Sequence, residues 1–453
     1  MHEKAYFSAL IKKVAKEMNR LKVPGAAVGV WHKGKEFNEG LGVTSVENPL
    51  SVTPDTLFQT GSISKTFTGT LLMHLVEEGK LDLDLPVRRY ISDLKLSNPK
   101  VASRVTTRHL LTHTGGWIGD YFNDFGNGDD GLDKMVKSIA NLPQVTPLGK
   151  IWSYNNAGFY IASRIIEVIT KKPYETAIQE MLLNPMGLGM TYFYPSDILI
   201  THRFVVGHDK EKGKVKVLRP WAVGRAANGM GGVVSTTGDL LKFARFHMNS
   251  GKSRNWGKIL SVKKREAMRV PQAEAGGYGK IGITWFIRKA GAHTIYGHSG
   301  ATNGQQAGLY FIPSEDFALA VLSNSNEGGF IADHIIRWAM EIYFNTRWPT
   351  PRPLKIKEGA LEEYAGMYEL PLSAFTLTAK KGYLILKDIP RGGFPTPETP
   401  PGPAAPSMRL AFYDTDRVIC LDEPMKDALG DFLRNKHGKV TFLRISGRTH
   451  PKL

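Results

Sequence analysis

Ser62 and Lys65 are the side chains in this sequence whose types and spacing best suit nucleophilic chemistry. Residues three apart share one face of a helix, so the hydroxyl and the amine would lie side by side. A serine hydroxyl is a weak nucleophile at neutral pH, and a lysine amine held among apolar neighbours can lose its charge and act as a base. Phe67 and Leu71 supply such neighbours. The pair predicts a nucleophile at the start of a buried helix that ends near Gly79, with the Ser62 N–H free to face an oxyanion.

The Ser-x-x-Lys spelling is not specific by itself. It recurs at Ser92/Lys95, Ser97/Lys100 and Ser261/Lys264. Ser62 differs in having a glycine before it and a long apolar segment after it, and we expect no equivalent helix start at the other three. The alternative is that Ser62 is an ordinary N-terminal cap of a helix.

Two further segments carry polar side chains at positions typical of a cleft. Tyr154 and Asn156 lie at a turn before a second apolar helix that runs through Ile169, and such turns aim side chains at binding sites. His298 and Ser299 begin a Gly-rich segment between two predicted strands.

Neither a metal nor a cofactor site is predicted. His109 and His113 are four apart and could share a helix face, but no carboxylate or cysteine stands at ligand spacing, so structural roles are favoured. The Gly-rich segment 228–239 has no lysine at the position that a phosphate loop requires. It is therefore interpreted as a turn into a helix capped by threonine and aspartate.

The remaining pattern predicts helices and strands followed by a separate all-β region. An opening helix with Phe7 to Leu21 on its apolar side precedes a hairpin, 26–32 and 36–43. Later segments predict the strands 283–288, 293–297, 306–312 and 317–323, and then a helix over 331–344. Beyond a Pro-rich stretch, strands are predicted at 383–387, 409–413, 417–421, 431–434 and 439–445, with a Pro-rich extended loop over 390–406.

We therefore expect an α+β chain with residues 1–345 as a catalytic domain, 346–357 as a stiff linker, and 358–453 as an antiparallel β-barrel or sandwich.

Composition narrows the classes of protein. The chain has 453 residues, 42% of them hydrophobic, and no apolar run of about 18 residues that would predict a membrane span. Its single cysteine, Cys420, lies in a strand-like segment that favours a buried inert thiol. The net charge of +17 is dispersed, which favours a solvated basic surface over nucleic-acid binding. With an N-terminus unlike a signal peptide, we expect a cytoplasmic enzyme.

With these motifs in place, the chain resembles the penicillin-recognising serine hydrolases, which include class C β-lactamases, DD-peptidases, D-aminopeptidases and esterases. The resemblance runs from about Val23 to Asn326 and covers three motifs in order, which are the segments 62–65, 154–156 and 298–300. The third motif begins with His298 where many members have Lys-Thr-Gly. Together with the C-terminal region, the chain is most similar to the archaeal CubicO group of serine peptidases.

The resemblance implies a β-lactamase-like catalytic domain, a lipocalin-like barrel and a role for each motif residue. Ser62 would form an acyl-enzyme, and Lys65 and Tyr154 would share proton transfer, with the choice of base left open. Asn156 would hold a substrate amide. Ser62 and Ala301, which follows Gly300, would supply the oxyanion N–H groups, and His298 would line the cleft.

The expected function is a serine peptidase for short peptides, with tolerance or preference for D-amino acids. A neutral imidazole at His298 weakens any anchor for a substrate carboxylate, which argues against a β-lactamase. The resemblance also implies a closed homo-oligomer, an octamer. The dispersed charge and the lack of a long apolar run predict neither nucleic acid nor membrane as a partner. Two alternatives remain, which are an esterase for small acyl esters and a non-enzymatic binding protein that retains the fold.

Overall fold

The computed structural model describes residues 2–199, 202–221, 223–250 and 256–453, and two eight-stranded antiparallel sheets organise them. The helices are α1 His2–Leu21, α2 Ser64–Glu77, α3 Pro99–Ala102, α4 Thr107–Leu111, α5 Gly131–Ser138, α6 Ala157–Thr170, α7 Tyr174–Ile178, α8 Asn184–Met186, α9 Pro195–Leu199, α10 Asn228–Gly231, α11 Thr237–Met248, α12 Trp256–Ile259, α13 Val262–Ala267 and α14 Gly329–Phe344.

The strands before the linker are β1 Gly25–His32, β2 Lys35–Gly42, β3 Phe58–Gln59, β4 His208–Glu211, β5 Lys214–Val217, β6 Val234–Ser235, β7 Ala273–Glu274, β8 Lys280–Ile281, β9 Phe286–Ala290, β10 His293–Thr302, β11 Gln305–Ile312 and β12 Phe317–Ser323. Those after it are β13 Gly366–Leu370, β14 Ser373–Lys380, β15 Tyr383–Ile389, β16 Met408–Asp414, β17 Arg417–Cys420, β18 Leu429–Arg434, β19 Val440–Ile445 and β20 Arg448–Pro451.

The first sheet is covered by helices on both faces. Its strands run in the order β2-β1-β12-β11-β10-β9-β8-β7. Successive side chains of a strand point to opposite faces, so Leu319 and Val321 of β12 pack with α1 and α14, whereas Ala320 and Leu322 pack with the helical region that contains α2 and α11. The central strands are accordingly buried throughout rather than alternating.

The second sheet is a meander in chain order from β13 to β20 that closes almost into a barrel. A bridge between Tyr368 and Lys452 links its first strand to the segment after its last. Aromatic and aliphatic side chains fill its interior, including Phe375, Leu384 and Phe432. Cys420 is buried among them, as expected, and burial raises the pKa of its thiol.

The expected α+β class and the C-terminal barrel are confirmed, with two corrections to the elements. Strands β13, β14 and β20 were missed, the last because its short sequence is polar, with Thr449 and His450 buried all the same. The strand expected over 283–288 begins only at Phe286, since Thr284 adopts φ 65°, outside the extended region. The domain boundaries at 345 and 358 stay a prediction.

Within the described ranges, none of the helices combines the length and the apolar character that a bilayer crossing requires.

Two glycines let β10 lie directly against the turn that precedes α2. A Cβ on Gly300 would stand 1.9 Å from the Thr60 carbonyl oxygen. Gly61 has φ +53°, and a Cβ there would lie 2.5 Å from the Ala301 nitrogen. Because neither position has room for a side chain, the backbones of Ser62 and Ala301 can approach each other.

We predict that Gly300→Ala separates these backbones and destabilises the chain by about 1–3 kcal/mol through overpacking. Gly189→Ala is the matched control, since a Cβ there would have no atom within 4 Å. Thermal unfolding of both variants measures the difference. Equal midpoints for Gly300→Ala, Gly189→Ala and the unchanged chain would refute the close-approach argument.

Candidate active site

A cleft of about 400 Å³ lies where the first sheet, the helical region and the barrel meet. The first part of the chain contributes most of the residues singled out from the sequence, Ser62, Tyr154, Asn156, His298, Gly300 and Ala301. Three loops or turns of the barrel region form another wall, through Leu372, Phe394, Ser446, Gly447 and Arg448. The cleft is therefore built by both sheets.

Ser62 and Lys65 lie side by side, as their spacing predicts. A 3-10 turn, Gly61–Ile63, precedes α2, so Ser62 stands one turn before the helix proper, partly open to the cleft. The Lys65 Nζ is 3.0 Å from the Ser62 Oγ and donates a second hydrogen bond of 2.8 Å to the Met230 carbonyl oxygen. The Gly-rich segment that was interpreted only as a turn thus fixes the amine.

The surroundings of Lys65 favour the neutral form of its amine. Its side chain is 1% exposed, and no carboxylate of the described residues forms an ion pair with it. Burial lowers the pKa of this amine well below its ordinary value, the positive charge of Arg448 lowers it further, and Asp120 opposes the shift. A neutral amine that donates one N–H to Met230 keeps its lone pair for the Ser62 proton.

Tyr154 lies on the other side of the same cleft as a buried phenol. Its hydroxyl has no hydrogen-bond partner by geometry among the described residues. Burial raises its pKa, although the nearby Ser62 hydroxyl acts to lower it, so the phenol stays protonated. The Lys65 Nζ stands 5.1 Å from the centroid of its ring.

His113 supports Tyr154 from behind. The two rings stack with centroids 4.2 Å apart, and the His113 Nδ1 accepts a 3.0 Å hydrogen bond from the Asn155 N–H. His109 instead bonds to Thr106 in the cap of α4. The two histidines therefore have separate structural roles, and no cluster of metal-ligating side chains occurs in the ranges that the structure describes.

His298 is a neutral imidazole in this cleft. Its Nδ1 donates to the Ser299 carbonyl oxygen at 2.5 Å, which leaves the lone pair on Nε2. The Nε2 atom is buried without a partner among the described residues. Burial lowers the pKa of His298 to about 3, and the hydrogen bond to Ser299 opposes the shift. This side chain cannot serve as a cationic anchor at neutral pH.

The oxyanion site follows from the close approach of Gly300 to the Ser62 turn. The first N–H groups of a helical turn have no partner within it, so the Ser62 N–H is available. The Ala301 backbone lies against Gly61 at the same edge of the cleft. The backbones of Ser62 and Ala301 thus lie close together, as the expected oxyanion hole requires, and the role of their N–H groups stays a prediction.

Asp120 and Arg448 were missed by the sequence analysis. Arg448 donates from Nε and Nη2 to Asp120 at 2.9 and 3.0 Å, and Asn156 donates from Nδ2 to the same carboxylate at 2.7 Å. Asp120 lies in none of the motifs singled out from the sequence, and Arg448 begins the strand that lacked an apolar pattern. A local motif could have found neither residue, because Asp120 and Arg448 pair with each other across 328 residues of sequence.

The other Ser-x-x-Lys copies lie elsewhere and have local roles. Ser261 does begin a helix, contrary to expectation, because its Oγ caps α13 by accepting from the Lys264 N–H and bonds to Glu77. The Ser97 hydroxyl donates to the Leu142 carbonyl oxygen. Lys95 and Lys100 are exposed and Lys264 is only half-buried, so burial of the lysine is what separates Lys65 from them.

Comparison with known proteins identifies the class that this site defines. The profile of the Beta-lactamase family matches residues 10–342, so the chain belongs to the Beta-lactamase family, within the penicillin-recognising serine hydrolases. Penicillin-binding protein 4 of Amycolatopsis lactamdurans is 31% identical over 367 residues, which cover 77% of this chain and 93% of that protein. The β-lactamase-fold homologues are serine hydrolases.

Three solved structures extend the similarity to the whole chain. The crystal structure of SurE covers 100% of both chains with a TM-score of 0.78 and 25% identity, and the structure of SurE with D-Leu gives 0.75. The octameric penicillin-binding protein homologue from Pyrococcus abyssi covers 98% of this chain and 99% of its own, with a TM-score of 0.62 and 23% identity. The Pyrococcus abyssi homologue therefore has the same fold as this chain.

We predict that Ser62→Ala abolishes covalent labelling by a fluorophosphonate and leaves the fold intact, because it removes one hydroxyl and no core volume. Ser261→Ala is the control with the same motif. It should label normally while losing about 1 kcal/mol of stability with its helix cap. Mass spectrometry of the labelled peptide measures the result, and labelling of Ser62→Ala at another serine would refute the assignment.

Proposed function

We propose that the protein is a serine peptidase that hydrolyses short peptides containing D-amino acids through an acyl-enzyme on Ser62. The observation that carries the proposal is the 3.0 Å contact between the Ser62 hydroxyl and the amine of a buried Lys65. A hydroxyl beside an uncharged amine can lose its proton as it attacks a carbonyl carbon.

The pKa directions favour Lys65 over Tyr154 as the base. The Lys65 amine accepts the Ser62 proton as the bond between Oγ and the carbonyl carbon forms, and the N–H groups of Ser62 and Ala301 receive the negative oxygen. When the C–N bond breaks, Tyr154 gives its proton to the leaving nitrogen and regains one from the Lys65 ammonium. Water then attacks the acyl carbon, and its proton passes through the same groups to the Ser62 Oγ. The bond between Oγ and the acyl carbon breaks, which releases the second product and restores Ser62.

Asn156 supports binding of an amide substrate. Its Nδ2 is occupied by Asp120, so Oδ1 is the atom that remains to accept an N–H from a peptide. An ester without such an N–H would lose this contact. This difference favours peptides over small acyl esters as substrates. The contact between Ser62 and Lys65 in an accessible cleft argues against a purely non-enzymatic role.

The neutral His298 and the relatives support the choice of substrate. A substrate carboxylate would find no cation at His298, which disfavours β-lactams as main substrates. SurE, which matches the whole chain, has a structure with D-Leu. We therefore extend the proposal to D-residues next to the scissile bond. We also propose that the protein is related to the archaeal CubicO peptidases.

We predict that kcat/KM for peptides with a D-residue before the scissile bond exceeds that for their L-counterparts by roughly tenfold, a transition-state difference of about 1.4 kcal/mol. Diastereomeric peptide pairs and the matching esters, assayed on one preparation by chromatography, measure this. Equal turnover of the D and L members would remove the stereochemical part of the proposal. Faster turnover of esters than of both peptides would favour the esterase.

We also propose that the chain assembles into a closed homo-oligomer, supported by the octameric homologue that shares its fold. Eight copies of a 50.2 kDa chain predict a particle of about 400 kDa in sedimentation velocity. A smaller closed species would keep the assembly and change its order. A monomer at micromolar concentration would remove this part of the proposal.

A further inference from the structure

We propose that the ion pair between Asp120 and Arg448 is a positioning device, by which the last hairpin of the barrel sets both the geometry and the charge of the active site. The inference rests on the proposed role of Lys65 as base. Neither residue touches the reacting atoms in this proposal, and both act through Asn156, Tyr154 and Lys65.

The hairpin of β19 and β20 is fastened to the segment that carries Tyr154. The Gly447 carbonyl oxygen accepts a 2.8 Å hydrogen bond from the Tyr154 N–H. Thr449 donates from its N–H to the Ser153 Oγ at 3.1 Å and from its hydroxyl to the Trp152 carbonyl oxygen at 3.2 Å. Since residues 152–155 form neither helix nor strand, these contacts replace the bonds that regular structure would give them.

The ion pair continues this attachment into the cleft. Two hydrogen bonds from Arg448 fix the plane of the Asp120 carboxylate, and the carboxylate in turn orients Asn156. The guanidinium lies over the Tyr154 ring, 4.8 Å from its centroid. One side chain from the barrel therefore restrains two residues of the proposed machinery.

The pair also balances charge beside Lys65. Arg448 and Asp120 act on the Lys65 amine with opposite signs, because a positive neighbour disfavours its ammonium form and a negative neighbour favours it. Burial acts to raise the pKa of Asp120, but the charge and hydrogen bonds of Arg448 lower it, so the carboxylate is ionised at neutral pH. The other titratable groups around Lys65 are His113, His298 and Tyr154, all neutral near pH 7.

The arginine of this device lies outside the part of the chain that the family profile matches, whereas Asp120 lies within it. The Beta-lactamase profile ends at residue 342, well before the barrel begins, yet Arg448 lines the cleft. Nothing in the shared motifs requires an arginine here. The barrel thus completes the site within one chain, independently of any role in assembly.

The test is the pH dependence of Ser62 acylation by a fluorophosphonate, which needs no knowledge of the substrate. Acylation falls at low pH as Lys65 becomes protonated. Arg448→Met removes a repulsive positive charge, so the acidic limb should move to higher pH. Asp120→Asn removes an attractive negative charge, so the limb should move to lower pH, each shift being on the order of 1 unit. The double variant should return near the original position.

Two further variants separate position from charge and from stability. Arg448→Lys keeps the charge without the two-point contact, so the limb should stay in place while the plateau rate falls about tenfold. Arg409→Met breaks an exposed pair with Asp422 in the same barrel, at 2.7 Å, and should change neither the limb nor the plateau. Thermal unfolding of all variants identifies any that do not fold, and the double variant avoids an unpaired buried charge.

Opposite shifts for the two single variants would support the device. Shifts in the same direction, or none in folded variants, would overturn its electrostatic part, and a full plateau rate for Arg448→Lys would overturn its positioning part. The proposed function fails by a different result, namely labelling of Ser62→Ala or an acylation profile of the unchanged chain without an acidic limb.

Discussion

Burial of the Lys65 amine without a carboxylate partner is the constraint on which the site depends. A charged ammonium in this position would bear the full cost of desolvation, and the surrounding groups offer one carbonyl and one hydroxyl but no compensating anion in direct contact. A neutral amine can occupy this position at a lower desolvation cost than an ammonium group. The same packing that stabilises α2 in the core therefore prepares the base for Ser62.

The backbone around this amine must approach unusually closely, and glycine permits it. Gly61 and Gly300 remove the side chains that would separate the Ser62 turn from β10. The edge of the first sheet thereby becomes part of the cleft, with His298 and Ala301 beside the nucleophile. The helical region contributes another wall through Tyr154 and Asn156, so that the proposed nucleophile, acid and oxyanion donors come from three different elements.

The barrel is a fourth element that contributes to the cleft, and it is attached directly to the catalytic region. A domain joined by a Pro-rich linker could be only a spacer or an assembly module. Here its last hairpin binds the segment before α6 through backbone and side chain, and Arg448 reaches the same carboxylate as Asn156. The barrel and the catalytic region therefore share one polar network, and changes at the C-terminus can reach the cleft.

The sequence by itself determined the local part of this protein. Helix spacing placed Lys65 beside Ser62, the turn before an apolar helix placed Tyr154 and Asn156, and the strand pattern placed His298 between two predicted strands. These predictions rest on contacts between residues close in the chain or on motifs in a fixed order. The apolar periodicity likewise identified α1, the first hairpin and most strands of both sheets.

Tertiary structure alone decided the rest, since no local pattern encodes a contact across hundreds of residues. Asp120 lies outside the motifs found in the sequence. Arg448 lies in a polar strand that is buried because it packs against the catalytic region. The partner of the Lys65 amine, Met230, lies in a segment whose glycines indicated only a turn. Spacing could bring the amine to the hydroxyl, but only the packed molecule could remove its charge.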